Sequence, residues 1–86
     1  MTTAQIKSRV RESFEEVDSK DFLEMKIKEQ VKIHQRNFQK WKLNCPEGDI
    51  ETWKVFNSES VNLNTNDNNE VLAIGIFLLA LDEFNP

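Results

Sequence analysis

One histidine and one cysteine are the residues of this chain best suited to nucleophilic or acid–base chemistry. His34 lies in the middle of an apolar stripe at helical spacing, which is typical of a hydrogen-bonded core or interface histidine and not of a general base. Cys45 precedes Pro46 at the end of the same predicted helix. The chain has neither a glycine-rich phosphate loop nor a G-x-S-x-G nucleophile elbow. We therefore expect no enzymatic activity and no cofactor.

The segment NLNTNDNNE, residues 62–70, resembles a calcium-binding loop because asparagine side chains stand at alternate positions. In such a loop the sixth residue is a glycine and the twelfth is a glutamate. Here those positions hold Asp67 and Ala73, and the leading oxygen ligands are neutral. We expect a solvated turn and no metal site.

Basic residues on the longest predicted helix are spaced so that they could follow a phosphate backbone. We call these residues, which are spaced four positions apart, the basic ridge: Lys28, Lys32, Arg36 and Lys40. Binding of this kind would be independent of base sequence and sensitive to salt. The chain as a whole is acidic, with a net charge of −4 and a pI near 4.9, and it lacks a helix-turn-helix signature. A solvated helix face competes with this interpretation, and nucleic-acid binding is kept as an alternative hypothesis.

Charge is unevenly distributed along the chain. Residues 1–42 carry ten Lys and Arg against seven Asp and Glu, whereas residues 43–86 carry one Lys against eight Asp and Glu. In this acidic half, carboxylates surround two aromatic residues, and such a group can form a hot spot for a basic partner. The predicted partner-binding residues are Glu47, Asp49, Glu51, Trp53, Phe56 and Glu59.

This pattern favours a small non-enzymatic protein-binding module, acting as an inhibitor, an antitoxin-like protein or an adaptor. The expected partner is a basic protein, such as a basic enzyme or a nucleic-acid-binding protein. Toxin-neutralising immunity proteins and phage-encoded inhibitors share this size and charge, although the chain carries no sequence motif of theirs. A homo-oligomeric structural protein, for example a homodimer, is a further alternative.

Hydrophobic periodicity predicts a mainly α fold, a small bundle of three principal helices at about 3–17, 20–43 and 68–83 in a single domain, 1–86. Thr2 and Gln5 have the spacing of a capping box before the first helix. The second helix carries a core stripe within a sector of about 80°. Its members are Leu23, Ile27, Val31, His34, Phe38 and Trp41. A smaller apolar set, Phe22, Met25 and Ile33, lies off this stripe and predicts contact with a second neighbour.

The sequence of residues 50–63 is compatible with either a short helix or a β-hairpin. Ile50, Trp53 and Phe56 have the spacing of a short helix, with Asp49 as its N-cap. The same segment is rich in residues that favour strands, and Val61 and Leu63 alternate with asparagines, which favours a β-hairpin.

The run VLAIGIFLLAL, residues 71–81, is apolar throughout. It is shorter than the roughly 20 residues that a membrane-spanning helix needs, and Asp67 and Glu70 form a helix-start signal before it. A helix without a polar face has to be enclosed on all sides, by the rest of the chain, by a second copy or by a partner. Ala73, Ala80 and Gly75 are small enough to let another backbone approach.

The N-terminal residues lack the apolar core of a signal peptide, and a single cysteine cannot form an internal disulfide. We therefore expect a cytoplasmic protein that does not associate with membranes.

Overall fold

Four α-helices follow one another along the chain: α1 (Thr3–Glu16), α2 (Lys20–Asn44), α3 (Ile50–Glu59) and α4 (Asn68–Glu83). The structure is a computed structural model that describes residues 1–86. It contains no strand, so the prediction of a mainly α fold is confirmed, and the helical alternative for the segment after residue 50 is the correct one. The carboxylate of Asp49 accepts a hydrogen bond from the Thr52 backbone N–H at 2.7 Å, which caps α3 and favours the helix over a hairpin.

The apolar run of α4 is covered from three directions by the other helices. Its residues join three core clusters: Leu79 and Ala80 meet α1 and α2, Leu81 meets α2 and α3 together with Phe84 just beyond the helix, and Val71 and Leu78 meet α1. Six of the eleven residues are buried, four are half-buried and Ala73 is exposed, so the run is enclosed on one side and only partly covered on the other. None of the four helices combines the length and the apolar character needed to cross a membrane.

Gly75 determines how closely α1 approaches α4. A Cβ atom built on Gly75 would lie 2.1 Å from Cγ2 and 3.0 Å from Cβ of Val10. Val10 is fully buried and β-branched, so it has no free space into which to rotate. The close approach expected near the small residues of α4 therefore occurs at Gly75, whereas Ala73 faces solvent.

Both ends of α4 are held by specific contacts. At its start, the Asp67 carboxylate accepts hydrogen bonds from the backbone N–H groups of Asn69 and Glu70, as the helix-start signal predicts. Near its end, the Lys7 ammonium lies 2.8 Å from the Asp82 carboxylate and offsets the unfavourable position of an acid at a helix C-terminus.

The second apolar set of α2 is only partly covered within the chain. Phe22, Met25 and Ile33 are all exposed, although the Phe22 ring stacks on that of Phe14 with centroids 6.1 Å apart. The expected second contact therefore forms at Phe22, and Met25 and Ile33 stay exposed because α1 packs mainly against α4.

The replacement Gly75→Ala should destabilise the fold. Alanine is favoured over glycine by about 1 kcal/mol within a helix, but overpacking a core costs typically about 1–3 kcal/mol. We expect a net loss of up to about 2 kcal/mol in the free energy of urea unfolding, followed by far-UV circular dichroism. Adding Val10→Ala should make the double variant more stable than the sum of the two single effects predicts.

Ala73, exposed on the same helix, offers the matched control. Ala73→Gly isolates the difference in helix propensity without changing any packing, and it should cost about 1 kcal/mol. A Gly75→Ala protein that is more stable than the wild type would contradict the close approach at Val10.

Candidate functional site

The outward side of α3 presents apolar side chains between two glutamates. Val55 is 54% exposed and Phe56 is 72% exposed. They line a shallow surface depression together with Glu51, Thr52 and Glu59. The two glutamates lie eight residues apart, about 12 Å along the helix axis. We call these five residues the α3 face.

Trp53 anchors this helix from the opposite side. It is only 4% exposed, and its ring lies 5.3 Å from that of Phe38 and 5.6 Å from that of Phe84, centroid to centroid. The prediction that Trp53 forms part of a partner-binding surface is therefore corrected. Residues two apart on a helix project to nearly opposite sides, so the exposure of Val55 and the burial of Trp53 go together.

The remaining predicted partner-binding residues lie in two places. Glu51, Phe56 and Glu59 belong to the α3 face, whereas Glu47 and Asp49 lie in the loop before α3, and all five are exposed. Asp49 also has a structural task, because its carboxylate caps the helix. Hydrogen bonds from the backbone and side chain of Thr52 lower the pKa of the Asp49 carboxyl below its ordinary value of 3.8.

The loop that precedes α3 is tied to the end of α2. The Lys42 ammonium donates hydrogen bonds to the carbonyl of Pro46 at 2.6 Å and to that of Gly48 at 2.8 Å. A Cβ atom on Gly48 would lie 2.1 Å from the indole of Trp41, so a glycine is needed there. Lys42 thus helps to position the α3 face.

Two residues of this region were not foreseen from the sequence, Val55 and Lys42. Val55 is four residues from both Glu51 and Glu59, a spacing that identifies it only once α3 is known to be a helix. The role of Lys42 depends on the path of a loop and has no sequence signal.

His34 lies inside the core between α2, α3 and α4. His34 is only 1% exposed, and its Nε2 donates a hydrogen bond to the Phe77 carbonyl at 3.0 Å. The rings of Phe77 and Trp53 stand at centroid distances of 4.6 and 5.9 Å from the imidazole. Burial lowers the pKa of His34 from its ordinary value of 6.5, and the hydrogen bond to Phe77 offsets part of this effect. The prediction of a hydrogen-bonded core histidine is confirmed.

The basic ridge of α2 faces away from the core. Its four residues are exposed, namely Lys28, Lys32, Arg36 and Lys40. None of them takes part in an ion pair, since the three pairs of the structure are Lys7–Asp82, Lys20–Glu15 and Lys26–Glu29. The ridge therefore presents four uncompensated positive charges to solvent.

Cys45 and His34 are the two residues that the sequence offers for nucleophilic or acid–base chemistry. Cys45 is an exposed free thiol, and neither Cys45 nor His34 lines any of the surface depressions. No three His, Cys, Asp or Glu side chains come close enough together to hold a metal ion. The exposed groups of α3 and α2 can instead act by burying apolar surface and by attracting opposite charge.

Comparison with known proteins identifies no relative of this chain. No protein-family model, no curated protein and no solved structure matches it. A function is therefore proposed from the exposed groups of α3 and α2 themselves.

The stability of the protein should depend on the protonation of His34. Because the pKa of His34 is lower in the folded chain, the unfolded chain binds more protons once the pH falls below about 6.5. The free energy of unfolding should therefore decrease as the pH falls from 7.5 into the range between the unfolded and folded pKa values. Urea unfolding measured from pH 8 to pH 5 tests this expectation.

His34→Gln keeps a neutral hydrogen-bond donor and serves as the comparison. The wild type should be the more stable protein at pH 8, and its advantage should shrink as the pH falls, while the carboxyl groups affect both proteins equally. Parallel pH profiles for the two proteins would show that His34 does not contribute in this way.

Proposed function

We propose that this protein is a small non-enzymatic protein-binding module of the cytoplasm, which presents the α3 face to a basic protein partner. The observation that carries the proposal is the exposure of Phe56 on a helix that the buried Trp53 anchors to the core. A large aromatic side chain on a rigid element gains contact area on binding at a small cost in conformational entropy. Aromatic residues of this kind are frequent among interface hot spots.

The charges around Phe56 define the partner that fits. Glu51 and Glu59 flank the apolar centre of the α3 face, Glu47 lies in the preceding loop, and Lys54 is the one basic residue of the acidic half. An acidic rim accelerates association with a basic surface and disfavours an acidic one. The partner is therefore a basic enzyme or a nucleic-acid-binding protein, which this chain would inhibit, neutralise or recruit by covering its cationic surface.

Substitutions on the α3 face should weaken binding of the basic protein that co-purifies with the tagged chain from its native cell. Phe56→Ala should cost about 2 kcal/mol, roughly a 30-fold rise in Kd. Glu51→Lys combined with Glu59→Lys should slow association, and this effect should diminish at high salt. Biolayer interferometry measures both constants.

Two exposed glutamates of α1 provide the matched control. Glu12→Lys combined with Glu16→Lys makes the same change in net charge away from α3 and should leave Kd within about twofold if local charges govern recognition. Trp53→Ala is unsuitable as a probe, because it would empty a core position. Equal losses in the α1 and α3 charge variants would contradict a specific role of the α3 face.

Nucleic-acid binding through the basic ridge is the second candidate function, supported by the four exposed cations without ion pairs. A labelled 20-base-pair duplex at low salt should then bind at micromolar protein, and Lys32→Glu with Arg36→Glu should abolish this binding. Mobility-shift assays test the prediction. An absent shift, or one that these substitutions leave unchanged, excludes this function for the ridge.

A further inference from the structure

Four large apolar side chains of α2 are left in solvent. Phe22 is 48%, Met25 46%, Ile33 42% and Leu43 82% exposed. At about 100° per residue they occupy one sector of the helix about 100° wide, roughly opposite the buried stripe. The same sector contains Glu29, Lys32, Arg36 and Lys40. We call these eight residues the α2 seam.

The seam has the spacing with which one helix packs along another. Successive members are mostly three or four residues apart, the interval that places side chains along one side of a helix in a coiled coil. α2 is 25 residues long, about 37 Å, which makes it the longest helix of the fold. Its outer side therefore offers a continuous surface for a second helix of similar length.

We propose that two copies of this protein pair through the α2 seam, with their α2 helices antiparallel about a two-fold axis near Ile33. Twofold symmetry brings the same surface of each copy together, so the seam has to be complementary to itself. When the two helices overlap along their full length, Phe22 faces Leu43 of the second copy. In the same register, Met25 faces Lys40, and Ile33 faces Lys32.

The charges of the seam support this register. Glu29 faces Arg36 of the second copy, and the symmetry makes this pair twice. In the single chain Glu29 has only a long contact of 3.8 Å with Lys26, and both side chains are exposed. The stems of Lys32 and Lys40 would cover apolar side chains, while their ammonium groups reach solvent. A parallel arrangement would instead set Glu29 against Glu29 and Arg36 against Arg36, so that no opposite charges pair.

The apolar residues favour a second copy of the chain over a polyanion as the occupant. A nucleic acid on this side of α2 would neutralise the cations but leave Phe22, Met25 and Ile33 in water. An antiparallel α2 buries these side chains and also supplies Glu29 as a counter-charge. The proposal uses no residue of the α3 face, but it shares Lys32, Arg36 and Lys40 with the basic ridge and so competes with nucleic-acid binding there.

Disulfide trapping tests the arrangement directly. In a Cys45→Ser background, Ile33→Cys places a thiol beside the two-fold axis, whereas Gln35→Cys places one on an exposed position roughly 160° away around the helix. Under oxidised glutathione at micromolar protein, Ile33→Cys should form a covalent dimer at least tenfold faster than Gln35→Cys. Equal rates for the two variants would overturn the proposal.

Charge reversal tests the register, with sedimentation velocity from 5 to 500 µM as the measurement. The wild type should dimerise within this range. Glu29→Arg and Arg36→Glu should each raise the dimer dissociation constant at least tenfold. The double variant restores the wild-type net charge and the pair in reversed order, so it should recover dimerisation. A wild type that stays monomeric overturns the proposal, whether or not it binds an oligonucleotide. A double variant that dimerises no more tightly than the single variants overturns it as well.

Discussion

The apolar run of α4 has no polar side, so the other three helices have to cover it from three directions. Four consecutive residues, 78–81, reach all three core clusters of the molecule. Burying such a helix is strongly favourable, since each large apolar side chain removed from water contributes about 1.5–3 kcal/mol. A chain of this size has little further surface with which to cover anything else, and only 15 of its 86 residues are buried.

The need to cover α4 explains where the surfaces available for binding are found. α2 and α3 each turn one side towards α4 and leave the other in solvent, together with apolar residues that the chain covers only in part. On α3 those residues stand among carboxylates, and on α2 they stand among cations. The burial of Trp53 and the cap at Asp49 hold α3 in a defined position, so that Phe56 is presented by a rigid element and not by a mobile loop.

Much of the fold was predictable, and the candidate site was predictable in part. The last helix, the caps at Thr2 and Asp67 and the core position of His34 follow from local spacing, and the structure confirms them. Trp53 was assigned to the wrong side of its segment, because composition places an aromatic among acids without showing which way it projects. Val55 was missed for a related reason, since its exposure depends on α3 being a helix with Trp53 facing inward.

The helices and their starts follow from the amino-acid sequence alone, because apolar periodicity, capping side chains and backbone hydrogen bonds act between residues close along the chain. The core-facing stripe of α2 was predictable as well, whereas the covered side of α3 and the neighbours that cover each helix depend on the tertiary structure. That outcome depends on contacts between distant residues, such as Gly75 against Val10, and on how much surface three short helices can supply to a fourth. The same shortage of covering surface explains why Phe22, Met25 and Ile33 stay partly exposed where the sequence predicted a neighbour. α1 packs mainly against α4 and covers little of this side of α2.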